Sequence, residues 1–242
     1  MNGEIKAERN DSILTITISR PDKLNSVTQE MLDDFADKVS KFTNDPEILV
    51  LIFTGDGQKA FTAGFDLKMI TGLSPEEKHD FFKKLEKIIR LIRQARHCIT
   101  ICAVNGYAIG FGAMVAGACD FRFFSENAAY RLPEIDVGVF PGAGAASNLM
   151  HLVGPSHAKD ILLTGRTVPA EECLRIGLAD RVLPLDQLIP TTLEYAESLL
   201  KKDRSILLRT KSLVDAMTGR TVGGADETES TYLDEWLNEI KQ

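Results

Sequence analysis

The sequence has no apolar run approaching the ~20 residues a membrane-spanning helix needs, and its polar start, MNGEIKAERND, carries no hydrophobic segment of signal-peptide type. No basic block stands out either. The 28 Lys and Arg are outnumbered by 35 Asp and Glu, for a formal net charge of -7, so nucleic acid and membrane surfaces are poor partners. The four cysteines (Cys98, Cys102, Cys119, Cys173) lack C-x-x-C spacing, and the first three stand among apolar residues. That reads as buried thiols rather than disulfides or metal ligands. His79, His151 and His157 show no metal-ligand spacing, His97 reads as structural, and no Ser/His/Asp constellation can be assigned. These absences point to a cytoplasmic protein without a metal site.

What is present is a core-forming chain: 44% of the 242 residues are hydrophobic, enough for one large domain or two small ones. Its centre is ITICAVNGYAIGFGAMVAGACD, Ile99 to Asp120. Ile99–Val104 reads as a buried strand, Asn105-Gly106 breaks it, and Gly110-Phe111-Gly112 opens a run of small residues. A strand, a glycine turn and a tightly packed helix aim unpartnered backbone N–H groups at a ligand oxygen. The spacing is not the dinucleotide fingerprint, because Val115 stands where its last glycine belongs.

Around that centre the pattern alternates. Ser12–Ser19 reads as a half-buried strand, and a helix capped by Ser26 and Gln29 runs to Phe42. Ile48–Thr54 reads as a strand covered on both faces. The loop Phe61-Thr62-Ala63-Gly64-Phe65-Asp66-Leu67 follows, its small residues permitting close approach of a ligand to the backbone. Ser74 with Glu77 caps a helix to about Gln94, and Phe121–Ser125 is a short strand. Later come helices near 145–152, 156–163 and 170–175, a strand at Arg181–Leu183, and helices near 186–201, 204–217 and 228–240. Thr218 to Asp226 reads as a polar hinge. The alternation predicts α/β layering, with a core domain over 1–185 and a C-terminal helical region over 186–242. That tail is too thin to hold its own core, and its Tyr232, Leu233 and Trp236 stripe reads as core or subunit interface.

Three elements carry candidate chemistry: the Ala63-Gly64 loop, the Gly110-Phe111-Gly112 turn, and Glu134. Two backbone N–H groups from the first two form an oxyanion hole for a carbonyl that gains charge as an enolate forms. A nearby carboxylate then moves a proton at the adjacent carbon. On spacing alone a second reading stands: the glycines only let a helix pack close to a sheet.

RPDKLNSV, KAFTAGFDLKMI, AVNGYAIGFGAMVAGACDFRF, LPEIDVGVFPGAG and LTGRTVPAEECLRIGLADRVLP, in this order, resemble the crotonase superfamily of enoyl-CoA hydratases and isomerases. The resemblance covers Ile13 to Leu183. It implies a spiral of β-β-α units, C-terminal helices that assemble homotrimers or homohexamers, and an acyl-CoA substrate with no cofactor beyond its CoA moiety. It assigns the oxyanion hole to the N–H groups of Ala63 and Phe111, with phenylalanine where the family commonly has glycine. Gly64, Phe65, Gly110, Gly112 and Met114 fall around the thioester. The loop through Asp66, Leu67 and Lys68 is expected to wrap CoA, with Lys23 and Lys68 as candidates for its phosphates.

The resemblance also weighs the acid–base groups. Family hydratases hold a water between two glutamates; the first falls at Met114, the second at Glu134. The glutamate of another isomerase branch falls at Gly142. A single carboxyl in an apolar surround suits proton shuttling, so Δ3-to-Δ2-enoyl-CoA isomerisation is the expected reaction. Enoyl-CoA hydration, or CoA-thioester binding with altered or lost catalysis, is the alternative. Asp136 is a candidate second acid or a helix-capping residue, and Arg131 a candidate partner for Glu134.

Overall fold

The computed structural model describes residues 3–65, 69–70 and 72–239. The chain opens as a hairpin: β1 (Glu4–Asn10) pairs antiparallel with β2 (Ile13–Ser19). β1 buries only Ile5, so polar side chains hide it from a periodicity reading. In β2, Leu14, Ile16 and Ile18 point into the core while Thr15 and Thr17 are half-buried, as the alternation predicts.

The cap of helix α1 (Gln29–Phe42) falls two residues later than the expected Ser26. Thr28 supplies it, accepting from the Met31 N–H at 3.3 Å. Ser26 and Val27 are held out of the helix: Ser26 Oγ accepts from Arg20 Nη1 at 3.1 Å, and the Val27 N–H donates to Gly64 O at 2.8 Å. Met31, Leu32, Phe35 and Val39 form the buried face of α1.

The next segments repeat one plan. β3 (Val50–Gly55), β4 (Ala60–Thr62) and α2 (Pro75–Arg93) form one β-β-α unit; β5 (Ile99–Val104), β6 (Tyr107–Ile109) and α3 (Phe111–Ala118) form the next. β7 (Phe121–Ser125), β8 (Ala129–Arg131) and α4 (Ala145–Thr164) form a third. α2 has the expected capping box, with Ser74 N–H on Glu77 Oε2 at 2.8 Å and Glu77 N–H on Ser74 Oγ at 3.3 Å. The long strands enter a six-stranded sheet ordered β1-β2-β3-β5-β7-β10, where β10 is Arg181–Leu183. The short ones enter a four-stranded sheet ordered β4-β6-β8-β9, where β9 is Val168–Pro169. β4, β6 and β8 are parallel and end within one residue of one another, with Thr62 opposite Ala108 and Ile109 opposite Arg131.

Two buried asparagines hold the β3–β4 corner. Asn25, at φ 55, accepts from the Arg20 N–H at 2.8 Å and donates to Asp56 O at 2.9 Å and Ala60 O at 2.7 Å. Asn105 donates to Gly55 O at 3.0 Å and Gly57 O at 2.8 Å, and accepts from the Gly55 N–H at 3.2 Å. All four cysteines are buried, with no disulfide between them.

Further along, α4 is interrupted at Gly154 (φ 73, ψ 170), which divides it into the two expected helices. α5 (Ala170–Arg175) precedes β10, and α6 (Leu185–Leu200) follows it. The compact units are Met1–Leu199 and Leu200–Gln242, so the first extends past the expected boundary at 185. α6 belongs to it: Leu188, Thr192 and Ala196 are buried, and the Tyr195 ring lies 5.2 Å from that of Phe121 and 5.3 Å from that of Phe123. The second unit is a helix pair, α7 (Arg204–Met217) and α8 (Val222–Glu239). α8 begins inside the expected hinge, where Thr221 Oγ1 accepts from the Gly224 N–H at 3.3 Å. No described side chain from Leu200 to Glu239 is buried. Among the described residues no helix is long and apolar enough to cross a membrane.

Asn25→Ala strands one buried carbonyl, Ala60 O, and two part-buried groups, the Arg20 N–H and Asp56 O, and puts alanine at positive φ. A loss of about 3 kcal/mol is expected, from ~1–3 kcal/mol for the one buried orphan group and ~1 kcal/mol for the left-handed backbone. Urea denaturation checks it, as a lower midpoint at unchanged slope.

Candidate active site

Parallel strands that end within a residue of one another send their following residues out from one edge of the sheet, the edge where open parallel sheets bind ligands. Here these are Ala63–Phe65 after β4, Gly110–Gly112 after β6 and Leu132–Glu134 after β8. The three expected elements meet there. A methyl group placed on Gly64, which has φ +89, would lie 3.0 Å from Ile109 O and 3.7 Å from the Phe111 nitrogen. Across the other junction, the Gly110 N–H donates to Arg131 O at 2.9 Å.

The glycines of the turn divide between the two readings the spacing permits. Gly110 has φ +53, and a side chain there would meet nothing within 4 Å, so it serves the turn beside open space. Gly112 serves packing, because a Cβ would come within 2.7 Å of Thr62 Cγ2 and 2.9 Å of Thr62 O.

The backbone donors differ from the expected pair in one member. The Ala63 N–H donates to Leu24 O at 2.9 Å and is therefore consumed within the fold. Gly64 donates to Thr62 Oγ1 at 3.1 Å. The Phe65 N–H has no acceptor among the described residues, and its ring lies 5.0 Å from that of Phe111. Phe111 opens α3; its N–H precedes the helical ladder, whose first rung is the Met114 N–H on Gly110 O at 2.9 Å. Phe65 and Phe111 are thus the open donors on the two facing segments. The signal that separates Phe65 from Ala63 is the bond to Leu24, which only the folded turn at Leu24 (φ 51) creates. That bond also sets exposed Lys23 beside the loop. Asp66, Leu67 and Lys68 lie outside the described residues.

Glu134 begins a 3-10 turn, Glu134–Val137, held by Asp136 N–H on Pro133 O and Val139 N–H on Glu134 O, both 2.9 Å. The residue is 7% exposed, and Oε2 is buried with no hydrogen-bond partner among the described residues. Burial pushes its carboxyl pKa above the usual range, against a smaller lowering by its own backbone N–H. Its charge adds to that of Cys173 and, above all, to burial in pushing the Tyr130 phenol upward. Arg131 does not pair with Glu134; it pairs with Asp136, Nη2 to Oδ2 at 2.7 Å. Every residue of α3 is buried and none is ionisable, so Met114 supplies no second acid.

The sequence profile of the enoyl-CoA hydratase/isomerase family matches residues 8–241. Crotonyl-CoA hydratase of Syntrophomonas wolfei is 36% identical over 195 residues, 81% of this chain and 75% of that one. The crystal structure of an enoyl-CoA hydratase from Bacillus anthracis superposes with a TM-score of 0.88 at 26% identity, covering 97% of this chain and 90% of that one. A Thermobifida fusca protein solved in complex with CoA does so at 0.88 and 25%, covering 98% and 94%. The fold is the crotonase spiral expected from the motifs, and the chain belongs to the enoyl-CoA hydratase/isomerase family. The preference for isomerisation finds no support in the relatives' names, which fit hydration better.

A carboxyl whose pKa is raised by folding binds more protons folded than unfolded over the window above about 4.3, the ordinary glutamate value. Stability therefore falls as pH rises through that window. Glu134→Gln removes this dependence, so its stability relative to the parent should increase from pH 4 to pH 7. Urea midpoints at the two pH values check the sign.

Proposed function

We propose that this chain catalyses proton transfer at the carbon adjacent to the carbonyl of an acyl-CoA thioester, in the net reaction of an enoyl-CoA hydratase. The observation that carries it is Glu134, a buried carboxyl with one oxygen unpartnered, at the sheet edge that also presents the Phe65 and Phe111 N–H groups. Those two donors would bind the thioester oxygen and stabilise the charge it gains in the enolate. The loop after β4, with Lys23 beside it, would hold the CoA moiety.

A single carboxyl balances hydration. The carboxylate accepts a proton from water as the water oxygen bonds to C3, and it returns that proton to C2. The double bond is consumed and the carboxylate is regenerated. Desolvation, which raises its pKa, makes the carboxylate a stronger base toward the proton of the water. The relatives' names favour this reading.

One observation favours a second reading. Met114 stands where the family motif carries its other glutamate, so the water has one anchoring group fewer. Isomerisation needs no water: Glu134 would remove a proton from C2 of a 3-enoyl-CoA and return it at C4. For assembly, the bare helices of 200–239 support a homotrimer or homohexamer in which a partner copy covers them.

Hydration of a 2-enoyl-CoA and isomerisation of a 3-enoyl-CoA, assayed on one preparation, decide between the readings. Glu134→Gln should lower the dominant activity by about 100-fold or more while CoA-ester binding persists. Full activity in that variant would overturn the assignment, and binding without either reaction in the parent would leave a binding protein.

A further inference from the structure

Two residues separate Glu134 from β8, and Oε2 of its carboxyl has no hydrogen-bond partner among the described residues. The backbone on either side of it is tied down. Arg131, the last residue of β8, donates through Nε to Gly165 O at 2.8 Å and through Nη2 to Asp136 Oδ2 at 2.7 Å. One guanidinium thus ties the strand end before Glu134 to the turn after it, and both to the C-terminal cap of α4. Gly165 completes the arrangement. It has φ +60, and a Cβ there would come within 2.7 Å of Asp136 Oδ2 and 2.9 Å of Ile135 Cγ2, so the turn rests directly on the bare backbone of the cap. Arg131 also passes its own carbonyl to the Gly110 N–H at 2.9 Å, beside the turn that opens α3.

We propose that Arg131 and Asp136 are a positioning pair that locks the Glu134–Val137 turn onto the α4 cap and so fixes the Glu134 carboxyl against the Phe65 and Phe111 donors. The inference rests on the reading of Glu134 as the proton-transfer group. The side chains of the pair are 37% and 46% exposed, and exposed ion pairs contribute little to global stability. Their one charge-assisted hydrogen bond, across five residues, acts locally instead, on the one segment whose orientation the proposed chemistry depends on. In this reading neither residue acts on the substrate; Oδ2 of Asp136 is taken up by Arg131.

The test is Asp136→Asn and Asp136→Glu in the full chain, with two independent readouts. The first is amide hydrogen exchange at Asp136 and Val139, whose N–H groups close the turn. Asp136→Asn should accelerate it about tenfold, while Phe121–Ser125 keeps its protection and Tm moves little. The second is steady-state kinetics on whichever enoyl-CoA reaction the parent catalyses. kcat should fall roughly tenfold with KM unchanged, since misplacing a catalytic group by an ångström costs rate rather than binding. Asp136→Glu, which keeps the charge, should restore both in part. Unchanged exchange would overturn the pair as a brace. Faster exchange with unchanged kcat, or a loss of kcat accompanied by a raised KM and lowered Tm, would overturn its positioning role. Failure of the underlying reading looks different: Glu134→Gln would then keep full activity, whatever the exchange at the turn reports.

Discussion

The site depends on a backbone-to-backbone contact too close for side chains. At the β3–β4 and β5–β6 corners a Cβ on Gly55 would lie 2.4 Å from Ala60 O, and one on Gly106 would lie 2.2 Å from Lys59 O. At the start of α3 Gly112 presses on Thr62, and Gly64 presses on Ile109. This closeness brings the end of β4 against the first turn of α3. Carbonyls turned inward at such corners need donors, and the buried amides of Asn25 and Asn105 supply them. The N–H groups of Phe65 and Phe111 are consequently set by the fold before any ligand arrives. Donors fixed in advance stabilise developing charge without reorganising as the charge develops.

In the proposed function Glu134 is the complementary element: one side chain that would change protonation, at the sheet edge that also presents donors that do not. Its burial requires neighbours that neither pair with it nor solvate it. α3, from Phe111 to Ala118, is wholly buried and without an ionisable group, and Arg131 is drawn off by Asp136 and Gly165. An arginine paired directly with Glu134 would hold the carboxyl ionised and oppose the return of its proton. The surface ion pair thus keeps a nearby cation committed elsewhere.

Most of the fold was legible in the chain wherever an element was long enough to show a period. α1 and α2 declared themselves through Met31, Phe35 and Val39, and through Phe81, Leu85, Ile88 and Ile92. β5 followed from its unbroken run of small and branched residues. The three-residue strands β4, β6 and β8 were not legible, because three residues show no alternation, yet their adjacent ends assemble the site. Glu134 and the two glycine segments could be picked out from motifs, but Ala63 could not be told from Phe65. That distinction rests on a hydrogen bond to Leu24, set by a left-handed turn distant in sequence. The Arg131–Asp136 pair was hidden for a related reason: adjacency to Glu134 suggested a partner, and only the position of Gly165 shows which one.

Phe111 and Met114 show why departures from a family pattern differ in weight. Phe111 replaces a glycine, yet its ring is 1% exposed, packed 5.3 Å from that of Phe35 and 5.0 Å from that of Phe65. The side chain fills the core while the backbone N–H stays at the helix start, so the donor proposed for binding survives the substitution. At position 114 the family motif uses a side chain, and methionine removes the atoms themselves. On the proposed roles, binding of the thioester oxygen would be encoded in backbone geometry and would tolerate change at Phe65 and Phe111. The choice between adding water and moving a double bond would be encoded in side chains, at Met114 and Glu134, where no backbone contact can compensate. Reaction type could then diverge within this fold while thioester recognition stays constant.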